Sequence, residues 1–180
     1  MHYIKMRING EECIREYPTD IKEINIESTK DERIEISAIG WDHLGLQNLE
    51  ILILSNVKLK NLDTSFAAKC PKLRCVIFSK NSLSELNMVP FAQCSKLEIF
   101  DVSYNKLSNI DTTPLKDKPL LRADFSINQF KEKVDLSFIN YINCESEIRL
   151  GLIGVPIVGV TLEELQRCKE VKMGGLSELG

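Results

Sequence analysis

The sequence predicts a solenoid of the α/β class, a curved right-handed coil with a parallel sheet of short strands on its concave side. Three observations lead to this prediction. A pattern of apolar residues recurs four times in the middle of the chain, in steps of 24, 24 and 23 residues. Within each copy the apolar residues alternate, which is typical of a short strand, and a turn signal follows. Thirteen residues after the start of each of the first three copies, another apolar residue returns the chain to the core.

The pattern has apolar residues at positions 1, 4, 6 and 11 and asparagine at position 9. Three units fill all five positions, and they begin at Leu73, Leu97 and Leu120. A fourth unit begins at Leu49 and has Val57 at position 9, so we expect a looser turn there. The four segments are LEILILSNVKL, LRCVIFSKNSL, LEIFDVSYNKL and LLRADFSINQF.

This spacing resembles that of the leucine-rich-repeat family over residues 21–180, with strong units over 49–144 and degraded units at both ends. The resemblance implies about five to seven repeats, in which each asparagine amide bonds backbone groups of neighbouring coils. It also implies a binding function and no catalysis. The weaker units are marked by Ile21, Ile24 and Ile26 upstream, by Ile148 and Leu150 in a unit beginning at Glu145, and by Cys168, Val171 and Met173 near the end.

Residues 1–20 lie outside the repeat and are predicted to form an N-terminal cap. Ile4, Met6 and Ile8 alternate with polar residues, and Asn9-Gly10 is a strong signal for a tight hairpin turn. We therefore expect a β-hairpin that covers the open end of the stacked repeats, because terminal units need such cover.

Charge and hydropathy restrict the classes of partner. The chain has 23 basic and 26 acidic residues and a net charge of −3, a balance that argues against direct binding of nucleic acid or of an anionic membrane. No segment approaches the roughly 18 consecutive apolar residues of a membrane-spanning helix.

Six scattered cysteines without a C-x-x-C pair favour reduced thiols and an intracellular, cytoplasmic location, with the nucleus as the alternative.

The sequence offers little material for catalysis, so we expect no enzyme activity, no cofactor and no metal. His2 and His43 are the two histidines, and neither belongs to a recognisable catalytic or metal-binding motif. Cys70 and Cys94 hold equivalent places in adjacent units. We predict that they are buried free thiols; a disulfide or redox pair is the alternative.

The candidate binding residues alternate with the core residues, at positions 3 and 5 of each unit. Isoleucine is common in strands for steric reasons alone, but exposed isoleucines on adjacent strands would form a contiguous apolar patch, which favours binding. For the unit beginning at Glu145 the corresponding pair is Glu147 and Arg149. The predicted partner-binding residues are Ile51, Ile53, Ile77 and Ile99, with Tyr104 as an aromatic anchor and Asp101, Arg122 and Asp124 as the polar border.

The sequence therefore favours a monomeric, non-catalytic module that binds an unidentified partner protein on its concave face. It predicts no direct contact with nucleic acid or membrane. The family resemblance alone implies two alternatives, a component of a ribonucleoprotein or RNA-export complex and the substrate-recognition part of a larger, ubiquitin-ligase-like enzyme.

Overall fold

The computed structural model describes residues 1–41, 46–142 and 148–174. In these ranges no helix has the length and hydropathy needed to cross a bilayer. His43, Cys144, Glu145 and Glu147 lie outside the described residues. The strands are β1 (His2–Ile8), β2 (Glu11–Tyr17), β3 (Glu23–Glu27), β4 (Ile36–Trp41), β5 (Ile51–Ser55), β6 (Cys75–Ile77), β7 (Ile99–Asp101), β8 (Arg122–Asp124), β9 (Val134–Asp135), β10 (Arg149–Gly151), β11 (Ile157–Val158) and β12 (Glu170–Lys172).

Among the described residues, helical structure is confined to short segments between the strands. One α-helix, α1 (Leu162–Gln166), begins at Thr161, whose hydroxyl and backbone form a capping box with Glu164. The remaining segments are 3-10 turns at Leu46–Asn48, Ser65–Lys69, Val89–Gln93, Thr113–Leu115 and Ser137–Tyr141.

The main sheet has seven parallel strands in the order β12-β10-β8-β7-β6-β5-β3. The residue at position 4 of each strong unit lies within its strand and is fully buried. Strands β5 to β8 therefore lie where the repeat predicts them, and the prediction of one continuous parallel sheet is confirmed. The four residues at position 4 are Leu52, Val76, Phe100 and Ala123, each 0% exposed.

The register of the next unit differs from the prediction by two residues. Leu150 pairs with Ala123 on one side and with Val171 on the other, so Leu150 is at position 4. The unit that we expected to begin at Glu145 is therefore shifted. The pattern allowed both registers because Ile148, Leu150 and Leu152 alternate and are all buried. The concave-face residues of β10 are consequently Arg149 and Gly151, not Glu147 and Arg149.

A stack of aromatic rings runs through the core and connects successive coils. Neighbouring ring centroids are 4.3 to 6.4 Å apart, within the range of favourable aromatic contacts. Phenylalanines from the 3-10 turns on the convex side pack against Phe100 in β7 and Phe125 directly after β8. The rings in order are Trp41, Phe66, Phe91, Phe100, Phe125 and Phe138.

The asparagine at position 9 bonds the backbone of the preceding coil, as the family resemblance implies. Asn81 Oδ1 accepts hydrogen bonds from the N–H groups of Val57 and Leu59, both at 3.1 Å. Its Nδ2 donates to the carbonyl oxygens of Leu54 at 2.7 Å and Phe78 at 3.0 Å. Asn105 and Asn128 make corresponding bonds in the next two units.

The turn at Val57 is not looser than the others, so that expectation is wrong. The Val57 side chain is 0% exposed. Its N–H is bonded by Asn81 of the following unit, and its carbonyl oxygen accepts a hydrogen bond from Ile36 N–H at 2.8 Å. Hydrogen bonds to the Val57 backbone from the following unit and from β4 therefore hold this turn in place.

The residue before position 9 has a left-handed backbone in every strong unit. The φ angles are 56° at Asn56, 57° at Lys80, 54° at Tyr104 and 56° at Ile127. Asparagine tolerates this conformation, but a β-branched residue is strained in it. Ile127 is therefore the most strained of the four.

Replacing Ile127 with asparagine should stabilise the protein. We expect the free energy of unfolding to rise by about 1 kcal/mol and the melting temperature by about 2 to 4 °C, because the backbone strain is relieved. Ile153→Asn is the matched control, since Ile127 and Ile153 are 40% and 38% exposed but only Ile127 has a positive φ. Equal effects of the two substitutions in a thermal melt would contradict the strain explanation.

The N-terminal residues form a separate antiparallel sheet with the order β2-β1-β4. Strands β1 and β2 form a hairpin whose turn residues, Asn9 and Gly10, have φ angles of 51° and 88°, as a tight hairpin turn requires. Strand β4, which the sequence analysis did not identify, pairs with the other side of β1. Trp41 at its end donates from Nε1 to the carbonyl oxygen of Asp63 at 3.1 Å, which attaches the sheet to the next coil.

Candidate functional site: the concave face

Strand register arranges the concave-face side chains in two rows, which run across the sheet with a spacing of about 4.8 Å between neighbours. The face is apolar on β5, on β6 and at Ile99 of β7, acidic at the β3 end and charged from Asp101 onward. The position-3 row is Glu23, Ile51, Cys75, Ile99, Arg122, Arg149 and Glu170, and the position-5 row is Asn25, Ile53, Ile77, Asp101, Asp124, Gly151 and Lys172.

The four predicted isoleucines, which we call the isoleucine patch (Ile51, Ile53, Ile77 and Ile99), do lie together. Ile51 and Ile99 are on either side of Cys75, and Ile53 is paired with Ile77. All four are half-buried, so the expectation of exposed side chains is corrected: neighbours on adjacent strands cover part of each. Burial, followed by the nearby Asp101 carboxylate, raises the pKa of the Cys75 thiol, so this residue is uncharged and extends the apolar surface.

The predicted polar border is a connected cluster, and one of its members is buried. Asp101 is 5% exposed, and it accepts hydrogen bonds from the Ser103 N–H and hydroxyl at 3.0 and 2.7 Å. Arg122 donates to Asp101 at 2.9 Å and to Asp124 at 3.3 Å. Asp101 therefore does not form an exposed border. It orients Arg122, whose side chain is 47% exposed.

Tyr104 lies beside the concave face, at the turn that follows β7, and is 50% exposed. Its left-handed backbone places it in a line with two residues that the sequence analysis missed, Ile127 and Ile153. The Tyr104 N–H bonds the carbonyl oxygen of Ser126, and the Ile127 N–H bonds that of Ile153, which makes these turns neighbours. We call Tyr104, Ile127 and Ile153 the turn ridge. The apolar residues at positions 7 and 8 were the available sequence signal.

Gly151 opens a small hollow of about 130 Å³ at the C-terminal part of the face. A Cβ atom at this position would overlap the carboxylate of Asp124, so the close approach of that carboxylate requires glycine. Arg149 and Glu170 line the hollow, and their side chains are 3.9 Å apart. Among the residues that the structure describes, no group of three or more metal-binding side chains is present.

A ladder of opposite charges borders the isoleucine patch along position 2. Lys22 contacts Glu50 at 3.3 Å, and Arg74 contacts Glu98 through two bonds of 2.9 and 3.1 Å. Each pair connects adjacent coils. Exposed ion pairs contribute at most about 1 kcal/mol to stability, so the ladder mainly gives this edge of the face a fixed charge pattern.

Cys70 and Cys94 are free and fully buried, as predicted. Their thiols donate to the carbonyl oxygens of Phe66 and Ala67, each at 3.3 Å. Burial raises the pKa of Cys70 to about 12 and that of Cys94 to about 11. Since thiolates are the reactive form, both cysteines should be inert at neutral pH.

Alkylation of the native protein should therefore distinguish the cysteines. At pH 8 we expect iodoacetamide to modify Cys13, which is partly exposed, and to leave Cys70 and Cys94 unmodified. A thiol with a pKa of about 12 is thiolate in only roughly one molecule in ten thousand at this pH. Peptide mass spectrometry gives the extent of labelling, and denaturant should abolish the difference. Rapid native labelling of Cys70 would contradict the burial of this core.

Residues 47–107 match the family model of the leucine rich repeat. No curated protein matches the chain. The matched segment contains β5, β6 and β7, and the same parallel sheet continues into β3 on one side and into β8, β10 and β12 on the other. Residues 47–107 therefore form a leucine-rich-repeat segment of this sheet.

Proposed function

We propose that the protein is a non-catalytic interaction module whose isoleucine patch binds a partner protein. Leucine-rich repeats form extended surfaces suited to protein interaction. The observation that supports this site is the contiguity of Ile51, Ile53, Ile77 and Ile99 on β5 to β7, where only Cys75 intervenes. Apolar centres with polar rims are the usual arrangement of protein interfaces.

The charged cluster beside the patch, formed by Asp101, Arg122 and Asp124, orients a bound partner. Asp101 and Asp124 hold the guanidinium group of Arg122 in place, so little side-chain entropy remains to be lost when a partner carboxylate or carbonyl binds it. The turn ridge offers a second apolar contact on the other side of this cluster. A partner that covers both apolar areas would place a polar group against Arg122.

The net charge of the chain and the composition of the patch indicate the class of partner. A net charge of −3 and an isoleucine patch without aromatic side chains support a protein partner over nucleic acid. We propose that the module acts as a monomer. The free cysteines Cys70 and Cys94 support an intracellular location, cytoplasmic or nuclear.

Affinity capture with matched variants tests the site. Ile77→Asn should reduce partner capture about 30-fold, since removal of a central anchor typically costs about 2 kcal/mol of binding free energy. Val89→Asn is the control, because Val89 is an apolar residue, 66% exposed, on a 3-10 turn outside the sheet. Partners identified by mass spectrometry should be shared by wild type and Val89→Asn. Full capture by folded Ile77→Asn would place the binding site elsewhere.

A further inference from the structure

Strand β3 forms the N-terminal edge of the main sheet and pairs with β5 on one side. The carbonyl oxygen of Lys22 accepts a hydrogen bond from the Ile51 N–H at 2.9 Å. Because successive residues of a strand direct their backbone groups to opposite sides, Ile24 and Ile26 also bond β5. The N–H and C=O groups of the three alternate residues, 23, 25 and 27, therefore point away from β5.

The outer backbone groups of β3 are open. Within the described part of the chain, the backbone groups of Glu23, Asn25 and Glu27 have no hydrogen-bond partner, and all three residues are exposed. The cap sheet does not pair with this edge, since its order is β2-β1-β4. An open edge of five residues can accept another strand, which is a recurrent mode of peptide recognition.

The side chains of β3 indicate which strand would fit. Glu23, Asn25 and Glu27 are on the concave side, whereas Ile24 and Ile26 are 1% and 2% exposed and face the core. An added strand would place every second side chain beside the two carboxylates and the others beside the isoleucines. Opposite charges favour such cross-strand neighbours and like charges oppose them. Lysine or arginine alternating with apolar residues therefore fits this edge, and a second copy of β3 does not.

We propose that β3 binds an extended segment of a partner polypeptide by strand addition, and that this segment alternates basic and apolar residues. The site is distinct from the isoleucine patch, because it uses the backbone of β3 and the carboxylates of Glu23 and Glu27. It can exist whether or not the patch binds a partner.

The test is a titration of the ¹⁵N-labelled full chain with the peptide acetyl-Gly-Lys-Val-Lys-Val-Lys-Gly-amide at low salt. The amide signals of residues 23–27 should shift. The amides of Glu23, Asn25 and Glu27 should exchange with solvent rapidly in the free protein and at least about tenfold more slowly in the complex. A peptide N-methylated at the middle lysine and both valines keeps its charge but loses three backbone N–H donors. It should therefore bind about tenfold more weakly or worse.

Protein variants separate backbone pairing from charge. Asn25→Pro removes an outward N–H at an edge position where proline is tolerated, and it should abolish the shifts. The double variant Glu23→Gln/Glu27→Gln should weaken binding roughly threefold to tenfold. Ile77→Asn should bind the peptide normally, so failure of the isoleucine patch would not affect this result. Equal binding of the N-methylated peptide, or shifts confined to residues outside 23–27, would overturn the proposal.

Discussion

Leu52→Asp should unfold the protein at room temperature, whereas Ile53→Asp, one residue further along β5, should leave it folded. Leu52 is 0% exposed, and burial of an unpaired carboxylate costs several kcal/mol, a large part of the roughly 5 to 15 kcal/mol that stabilises a typical domain. Ile53 is half-buried on the concave face, and its cross-strand neighbours, Asn25 and Ile77, are uncharged. The cost there should be about 1 kcal/mol, from lost apolar contact and lower strand propensity.

The same comparison can be made on β6, with one change in the substitution. Val76→Asp should unfold the protein, since Val76 is also 0% exposed. On the concave face Ile77→Asn is the better substitution to compare with Val76→Asp, because an aspartate at position 77 would be directly beside Asp101 on β7. Circular dichroism melts of all four variants measure the difference. If the concave variants unfold as readily as the core variants, the register of these strands is wrong by one residue.

The central units could be predicted because local pattern and stacking agree there. Each has a single register that satisfies all of its apolar positions, and in three of the four that register also places asparagine at position 9. Around Leu150 the local pattern fits two registers, and the choice is made by pairing with Ala123 and Val171. These partners are distant in the sequence and do not appear in a local pattern. Strand β4 was missed for a related reason. It pairs with β1, and both β2 and β3 lie between these two strands in the sequence.

For the binding face, alternation predicted which side chains share a surface but not how far each is exposed. Asp101 was placed correctly on the concave side, yet its burial depends on Ser103 and on Arg122 of the next coil. The turn ridge depends on the left-handed backbone at Tyr104 and Ile127, which the side chains alone do not reveal. The open edge of β3 likewise became apparent only once all strand partners were known.

Asn81→Ala should lower the free energy of unfolding by about 3 to 5 kcal/mol. The substitution leaves three buried backbone groups without their bonds, namely the N–H groups of Val57 and Leu59 and the carbonyl group of Leu54. The Phe78 carbonyl loses one of two bonds, because Asn105 also donates to it. Each unsatisfied buried group costs about 1 to 3 kcal/mol, and entry of water would recover part of the sum.

Asn128→Ala is the matched control for this prediction. Asn128 is only part-buried, and its Oδ1 accepts a single backbone hydrogen bond, from Leu107. Its loss should cost about 1 to 2 kcal/mol, because solvent can reach the groups that it leaves. Urea unfolding monitored by circular dichroism gives both values. A cost at Asn81 no larger than that at Asn128 would mean that water replaces the buried amide freely, and that the asparagine ladder is not what holds adjacent coils in register.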